Sequence, residues 1–369
     1  MLNSLSSNVV LAKARTMYGK RLTAADYKEL LKSRTVGEVA GYLKNHTVYG
    51  KALAGIVESD VHRGQLEAVL KQKLMEEYTS LCKYEAGTDK YFSRYFIQCD
   101  EVRCILHVIL RLNAGEAGTS PDTIPSYLHH YSSLNLKACL QVSDFGGLLK
   151  LLAGSSYRKI LEPFAPENGG RIDYTGVENA LYFFVYSDIL GIIRRHFRGD
   201  TKKQLLKIFE AYVDLNNYVR VFRLRLTYGA DDETVRKSLL PTGSFSKEET
   251  DALVKAKTED EINAVLSQTR IGRQSLKIRH SYLDEIPARI NYVLCRHYMD
   301  YSTHPPVVLI SYILLCQNEI SNIITIVEGV RYQLPPQEIR KLLTLDNLQF
   351  SEVSSSSMAQ QRSGSSGSY

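Results

Sequence analysis

The stretch Asp214-Leu215-Asn216-Asn217 begins an amphipathic run that ends near Arg225, and related stretches occur twice more in the chain. These are Asp100-Glu101-Val102-Arg103 and Glu319-Ile320-Ser321-Asn322. The leading acids lie 114 (214 − 100) and 105 (319 − 214) residues apart. A pattern that recurs at this interval predicts three similar units. An enzyme rarely needs three copies of one helical unit around one active site, whereas a spacer, collar or socket often does.

Hydrophobic residues recur at helical spacing before each of these stretches. The pattern predicts long helices over about 58–85, 177–198 and 284–301, each followed by the helix that contains one of the acids. No series of alternating strands bounded by hairpin turns occurs in the sequence. We therefore predict an all-α fold.

Short capped helices precede the long pairs in the first and third copies. Thr23-Ala24-Ala25-Asp26 and Thr35-Val36-Gly37-Glu38 resemble capping boxes, as do Ser246-Lys247-Glu248-Glu249 and Thr258-Glu259-Asp260-Glu261. The two caps are 12 residues apart in both copies (35 − 23 and 258 − 246). The middle copy is degenerate and keeps only Ser143-Asp144-Phe145 with an apolar stripe.

Each predicted unit is thus a pair of short helices followed by two long ones. The units span residues 10–115, 120–229 and 230–343, with glycine- and proline-containing linkers between them. Residues 351–369 are rich in serine and glycine, which predicts a disordered tail because such a segment cannot bury enough apolar surface to offset chain entropy.

Composition favours a globular protein whose core needs no disulfides or metals. The 369 residues are 44% hydrophobic, and the net charge of +6 is too mild to indicate nucleic-acid binding. The six cysteines show no zinc-site spacing. The longest apolar stretch, Val307–Cys316, is about half of the roughly 20 residues that a transmembrane helix needs, so we expect no membrane span.

No phosphate loop, dinucleotide fingerprint, zinc-protease motif or nucleophile elbow is present, and we expect neither catalytic residues nor bound metal or cofactor. The recurring positions are interpreted as structural, because an acid repeated at equivalent helix positions suits helix packing better than catalysis. They are Asp100, Arg103, Asp214, Asn217, Glu319 and Asn322.

Two basic clusters are candidate docking surfaces for an acidic partner. The richer one lies where one long helix ends and the next begins, and it contains Arg194, Arg195, Arg198, Lys202 and Lys203. The second is a stripe of Arg220, Arg223 and Arg225 with Lys207, in which Arg220 and Arg223 are the docking candidates because residues three apart share a helix face. A solvated helix end that complements the helix dipole is the alternative interpretation of both clusters.

Three segments resemble the C subunit of the bacterial and archaeal V/A-type rotary ATPases, a family related to the d subunit of the eukaryotic enzyme. The first runs from Ala14-Arg15 through Leu22-Thr23, Asp26-Tyr27, Leu30-Leu31, Glu38-Val39 and Tyr42-Leu43 to Tyr49-Gly50 and Leu53. The second is Asp214-Leu215 with Asn217, Arg220 and Arg225. The third is Glu319-Ile320 with Asn322-Ile323 and Ile326, followed by Leu334-Pro335-Pro336 and Glu338-Ile339-Arg340, the most specific of the matches. The resemblance covers about residues 10–343.

The resemblance implies three similar helical units around a pseudo-threefold axis, forming a funnel-like socket. It implies a peripheral protein on the cytoplasmic face of the membrane, with the membrane rotor ring and central stalk subunits D and F as partners. It also implies a non-catalytic adaptor that couples ATP turnover to H⁺ or Na⁺ transport. Arg103 departs from the pattern, because the family usually has Asn there, so we expect a different helix contact in the first copy.

Two other functions stay open at this stage. A helical-repeat scaffold with another client is one, although common solenoid repeats run about 20–50 residues and these units exceed 100. The other is an enzyme of an unrecognised helical class, which binding of ATP or a metal by the isolated protein would reveal.

Overall fold

A computed structural model describes residues 2–83, 89–116, 128, 131–166, 170–269, 271–275 and 285–345. Every regular element within these ranges is helical, which confirms the all-α prediction. The predicted disordered tail, 351–369, lies outside the described residues.

The α-helices are numbered here in chain order. They are α1 (Leu2–Tyr18), α2 (Ala24–Leu30), α3 (Val36–His46), α4 (Arg63–Cys82), α5 (Asp89–Ala114), α6 (Leu136–Cys139), α7 (Phe145–Leu151), α8 (Ser156–Leu161), α9 (Tyr174–His196), α10 (Gly199–Leu226), α11 (Asp232–Ser238), α12 (Lys247–Lys255), α13 (Glu259–Gln268), α14 (Gly272–Ser275), α15 (Glu285–Tyr301), α16 (Pro305–Arg331) and α17 (Pro336–Lys341). A single 3₁₀ turn, Glu162–Phe164, follows α8. The predicted long helices therefore correspond to α4, α9 and α15, each followed by a second long helix, α5, α10 or α16.

The chain divides into two compact units. Unit 1 combines Met1–Glu85 with His280–Tyr369, and unit 2 is Ala86–Arg279. In unit 1, α16 packs against α1, α4 and α15, while in unit 2, α9 packs against both α5 and α10. These units do not follow the boundaries 10–115, 120–229 and 230–343, and the division into three sequential units stays a prediction.

Local sequence explains where the short helices begin. Thr23, Ser246 and Thr258 form complete capping boxes, in which side chain and backbone satisfy each other's hydrogen bonds. Thr35 accepts from the backbone N–H of Glu38, but the Glu38 carboxylate accepts from Arg34 instead of completing the box. In the degenerate copy, Asp144 caps α7 through the N–H of Gly147.

Among the described helices, two are long and apolar enough to cross a membrane by length and composition. For α16, 72% of the apolar window is buried inside the protein, so the core of unit 1 accounts for most of its hydropathy. For α9 the buried share is 44%. The predicted apolar stretch 307–316 lies at the start of α16, and Pro305 and Pro306 occupy its first turn as expected.

Candidate functional site: acid-anchored helix junctions and a basic helix turn

Asp214 anchors α10 to the segment that leads into α12. The backbone N–H of Ser244 donates to both carboxylate oxygens at 3.0 Å, and the Ser244 hydroxyl donates to Oδ2 at 2.5 Å. The N–H of Phe245 donates to Oδ1 at 3.4 Å. Asp214 is 0% exposed, so these bonds replace the hydration that the carboxylate loses on folding.

Burial sets the acidity of this carboxyl group. Desolvation raises the pKa of Asp214 from 3.8 to about 6, although the hydrogen bonds from Ser244 and Phe245 oppose the shift. The chain passes very close here, because a Cβ on Gly243 would lie 1.8 Å from Asp214 Oδ1. Only glycine therefore allows the backbone to wrap around the acid at this point.

Glu319 makes the corresponding junction in unit 1, between α16 and the segment that leads into α2. Its Oε2 accepts from the backbone N–H of Leu22 at 3.0 Å, and its Oε1 accepts from the Tyr49 hydroxyl at 2.6 Å. Burial raises the pKa of Glu319 above its usual value, opposed mainly by the Arg21 guanidinium. As with Asp214, the acid holds the backbone just before a capped short helix.

Arg21 adds a cation to this junction. Its guanidinium lies 3.5 Å from Glu319 Oε1 and donates to the Tyr49 and Tyr312 hydroxyl oxygens at 3.0 and 2.6 Å. It also forms an ion pair with Glu77 of α4. Because the Arg21 side chain is only 5% exposed, this network joins α4, α16 and the start of α2 in a setting where water cannot replace a lost partner.

In α5 the buried acid is Glu101, one residue after Asp100. Glu101 is 6% exposed and accepts from the hydroxyl groups of Ser132 at 2.5 Å and Tyr157 at 2.7 Å. Asp100 instead forms a local ion pair with Arg103, whose side chain is 59% exposed. The geometry therefore favours Glu101 over Asp100 as the counterpart of Asp214 and Glu319, and Arg103 makes a surface contact.

The asparagines that follow the acids in α10 and α16 each bracket one backbone residue. Asn217 donates to Leu240 O at 2.8 Å and accepts from Leu240 N at 2.9 Å, and Asn322 makes the same pair of bonds with Thr344, both at 2.9 Å. In α5 a similar bracket, at 3.0 and 2.9 Å, joins Asn113 to Ile172. A two-bond amide bracket fixes the register of a loop against a helix.

Two arginines repeat the same contacts at the ends of α5 and α10. Arg111 donates to Leu140 O at 2.7 Å and to Glu116 O at 3.0 Å. Arg225 donates to Val254 O and Ala230 O. Each contact in the second set lies 114 residues after its counterpart (225 − 111, 254 − 140 and 230 − 116), which is the interval between Asp100 and Asp214.

Three side chains of the basic cluster between α9 and α10 make contacts within the turn itself or with the helices that flank it. Arg194 pairs with Glu210 at 2.9 Å, Arg198 donates to Arg195 O at 2.9 Å, and Lys202 donates to Arg194 O at 3.2 Å. The contacts of Arg198 and Lys202 place positive charge on the carbonyl end of α9. Arg195 and Lys203 are exposed, and they form the outward part of the cluster.

Arg220 and Arg223 have different surroundings despite sharing a helix. Arg220 is half-buried and donates to Asn179 and to Ser238 O, and burial lowers the pKa of its guanidinium. Arg223 is exposed. Arg220 therefore makes contacts within unit 2, and of this pair only Arg223 remains a docking candidate.

Sequence reasoning missed the partners of the acids. Tyr49, Tyr157, Glu77 and Arg21 gave no pattern of their own, although Tyr49 lay within a segment that carried the family resemblance. Within the described residues, no group of three or more His, Cys, Asp or Glu side chains could hold a metal ion.

Comparison with known proteins assigns the family. Residues 10–342 match the ATP synthase (C/AC39) subunit family. The C subunit of the A-type ATP synthase of Thermococcus kodakarensis is 23% identical over 340 residues, which are 90% of this chain and 88% of that protein. The corresponding protein of Pyrococcus abyssi is 21% identical over 343 residues, with the same coverage, and that of Methanosphaera stadtmanae is 24% identical over 223 residues, 59% of this chain and 54% of the relative. Because the family match extends over nearly all the described helices, the chain belongs to the ATP synthase (C/AC39) subunit family of A/V-type ATPases.

Proposed function

We propose that this chain is a non-catalytic adaptor that joins the central stalk of a V/A-type rotary ATPase to its membrane rotor ring. Stalk subunits D and F are the partners on one side, and the protein is peripheral on the cytoplasmic face of the membrane. Its role is to couple ATP turnover to H⁺ or Na⁺ transport. The family match over residues 10–342 carries this proposal.

The acid-anchored junctions suit a part that transmits torque. Buried Asp214 and Glu319 each hold the backbone that leads into a short helix, so a force on the long helix reaches the short one through hydrogen bonds as well as packing. Bonds between buried groups resist displacement because their partners cannot exchange with water. A rotor component that must keep its shape under load benefits from such links.

We also propose that units 10–115, 120–229 and 230–343 are arranged around a pseudo-threefold axis as a funnel-like socket. The proposal is supported by the two-bond asparagine bracket, which recurs on α5, α10 and α16 through Asn113, Asn217 and Asn322. In unit 1 the junction pairs the last long helix with the first short helices, through Glu319 and Leu22. An experimental structure of the assembled complex tests this arrangement.

The turn between α9 and α10 is the docking surface in this proposal, with Arg195 and Lys203 as its outward charges. Cations grouped on an exposed turn attract an acidic partner surface and accelerate its association. Such an interaction weakens as the salt concentration rises.

A pull-down of the tagged full-length protein from native membranes tests the function. We expect the stalk and ring subunits to copurify, and to be lost first at high salt if the basic turn contributes. Recovery of a client outside the ATPase, without stalk or ring subunits, would contradict the adaptor role. Specific binding of ATP by the purified chain would contradict its non-catalytic character.

A further inference from the structure

Apolar side chains face solvent where α16 ends and α17 follows. Tyr332 is 67% exposed, Leu334 is 42% exposed and Leu342, at the end of α17, is 40% exposed. Pro335 and Pro336, which lie between them in the chain, are exposed as well. Tyr332, Leu334 and Leu342 are called the end surface below. Exposed apolar side chains grouped in one short stretch indicate a surface that another segment covers.

The end surface is held in one conformation. Ile339 packs directly on Gly329, where an added Cβ would lie 2.5 Å from Ile339 Cγ1. The amide bracket between Asn322 and Thr344 fastens the chain again after α17. Because α17 is fixed to α16 on both sides of Leu342, a segment that docks here requires little further ordering of the surface itself.

Gln333 offers a polar side chain at the edge of the end surface. Its φ of 56° is left-handed, as are those of Gly115 and Gly229, which end α5 and α10 at 73° and 59°. A side chain is sterically disfavoured in this conformation. The Gln333 amide is exposed and makes no hydrogen bond in the described part of the chain. It therefore has a donor and an acceptor free for the backbone of an extended segment.

The chain that follows α17 contains a segment of complementary character. Residues 346–353 read Asp-Asn-Leu-Gln-Phe-Ser-Glu-Val and lie outside the described residues. Leu348 and Phe350 alternate with polar residues, a pattern typical of an extended segment with one apolar face. Asp346 and Glu352 give the segment a negative charge. Cations outnumber acids around the end surface, with Arg331, Arg340 and Lys341 against Glu328 and Glu338. Opposite charges on the segment and the surface favour their contact.

The segment is long enough to reach the end surface. Thr344 is bonded to Asn322, and Tyr332 follows Asn322 by ten residues (332 − 322), which is about 15 Å along a helix. Asp346 and Asn347 are residue types that favour turns. The six residues from Asn347 to Val353 (353 − 347) span up to about 20 Å when extended. A reversal at the turn therefore brings the segment back along α17 as far as Tyr332.

We propose that residues 346–353 bind back onto the end surface and cover Tyr332, Leu334 and Leu342. The contact is a strap within one chain, which keeps the end surface closed until another molecule displaces it. The family match ends at residue 342, so the strap belongs to the part of this chain beyond that match. It is independent of the adaptor role, because both the surface and the segment belong to the same chain.

Tryptophan fluorescence of the full-length protein tests the strap. The chain contains no tryptophan, so Phe350→Trp places a single indole in the segment, and Tyr369→Trp places one in the serine- and glycine-rich stretch beyond it. An indole bound on the end surface leaves water, so we expect Phe350→Trp to show blue-shifted emission and weaker quenching by acrylamide than Tyr369→Trp. Equal emission and quenching of the two variants would overturn the proposal. A blue shift that grows with protein concentration would identify a second copy as the occupant and would also overturn it.

Substitutions in the end surface locate the contact. Tyr332→Ser with Leu334→Ser, added to Phe350→Trp, should shift the emission back to that of Tyr369→Trp. Both replaced side chains are exposed, and circular dichroism checks that the helices remain. Tyr228→Ser is the matched control, because Tyr228 is 75% exposed and precedes the left-handed Gly229 as Tyr332 precedes Gln333. An unchanged blue shift in the folded double variant, or an equal loss in the control, would overturn the proposal.

Discussion

The backbone N–H of Ser244 lies between the two carboxylate oxygens of Asp214, 3.0 Å from each. This contact joins the middle of α10 to the start of α12 and excludes water from the acid, which is 0% exposed. Burial raises the pKa of this carboxyl group to about 6, although the hydrogen bonds from Ser244 oppose the shift.

Asp214 is expected to make the protein less stable as the pH rises from about 4 to about 6. The folded state binds the proton more tightly than the unfolded state, so the contribution of the group is fully present below about pH 4 and is lost as pH rises through about 6. A shift of this size corresponds to about 3 kcal/mol of unfolding free energy.

The Asp214→Asn variant isolates this effect because an amide does not titrate. Urea unfolding at several pH values should show the difference in stability, wild type minus variant, falling between roughly pH 4 and pH 6. A difference that is flat or that rises with pH would show that the acid titrates with an ordinary or lowered pKa. The variant also turns an amide N–H₂ toward the N–H of Ser244, which costs about 1–3 kcal/mol at every pH.

Gly243→Ala should destabilise unit 2 by about 2 kcal/mol, because a methyl group cannot fit 1.8 Å from Asp214 Oδ1. Thermal unfolding measures the loss. Gly55→Ala is the control, since nothing lies within 4 Å of a Cβ added there. Equal stability of the two variants would show that the loop can move away from the acid at no cost.

Arg21→Met should destabilise unit 1 by about 3–5 kcal/mol, because it leaves the buried Glu319 without its cation and leaves Glu77 paired only with Lys73. Hydrogen exchange in α16 should locate the loss. Arg331→Met is the matched control: that side chain is 57% exposed and pairs with Glu328, a type of contact that contributes about 0–1 kcal/mol. A loss of under about 1 kcal/mol for Arg21→Met would mean that the network contributes little to stability.

Local features of this fold are readable from its sequence, whereas long-range pairings are not. Thr23 and Asp26 cap α2 within four residues of chain, so their types and spacing suffice to predict the bond. Arg21 and Glu319 are 298 residues apart, and nothing in either neighbourhood identifies the other. They meet because α16 lies beside the segment that leads into α2.

The acid in α5 illustrates a second limit on what the sequence alone can predict. Asp100 and Glu101 are adjacent, and their side chains leave the helix about 100° apart, so periodicity alone does not decide which one faces Ser132 and Tyr157. The repeat interval of 114 residues aligns Asp100 with Asp214. The same interval separates Arg111 and its carbonyl partners from Arg225 and its partners. The longer side chain of Glu101 nevertheless makes the buried contact, which illustrates how copies of a repeat diverge in detail.

Reversing the outward charges of the basic turn should weaken assembly with the stalk or ring without unfolding the protein. Arg195→Glu with Lys203→Glu is the appropriate variant, because Arg194, Arg198 and Lys202 are engaged in contacts of the turn itself and their replacement would disturb the helix ends. We expect less stalk and ring protein to copurify and a smaller dependence of assembly on salt. Lys137→Glu with Lys150→Glu, two exposed cations elsewhere in unit 2, changes the net charge equally and is the control. If both double variants copurify as much stalk and ring protein as the wild type does, the turn is excluded as a docking surface. If both lose the same amount relative to the wild type, the cause is the change in net charge and not this surface.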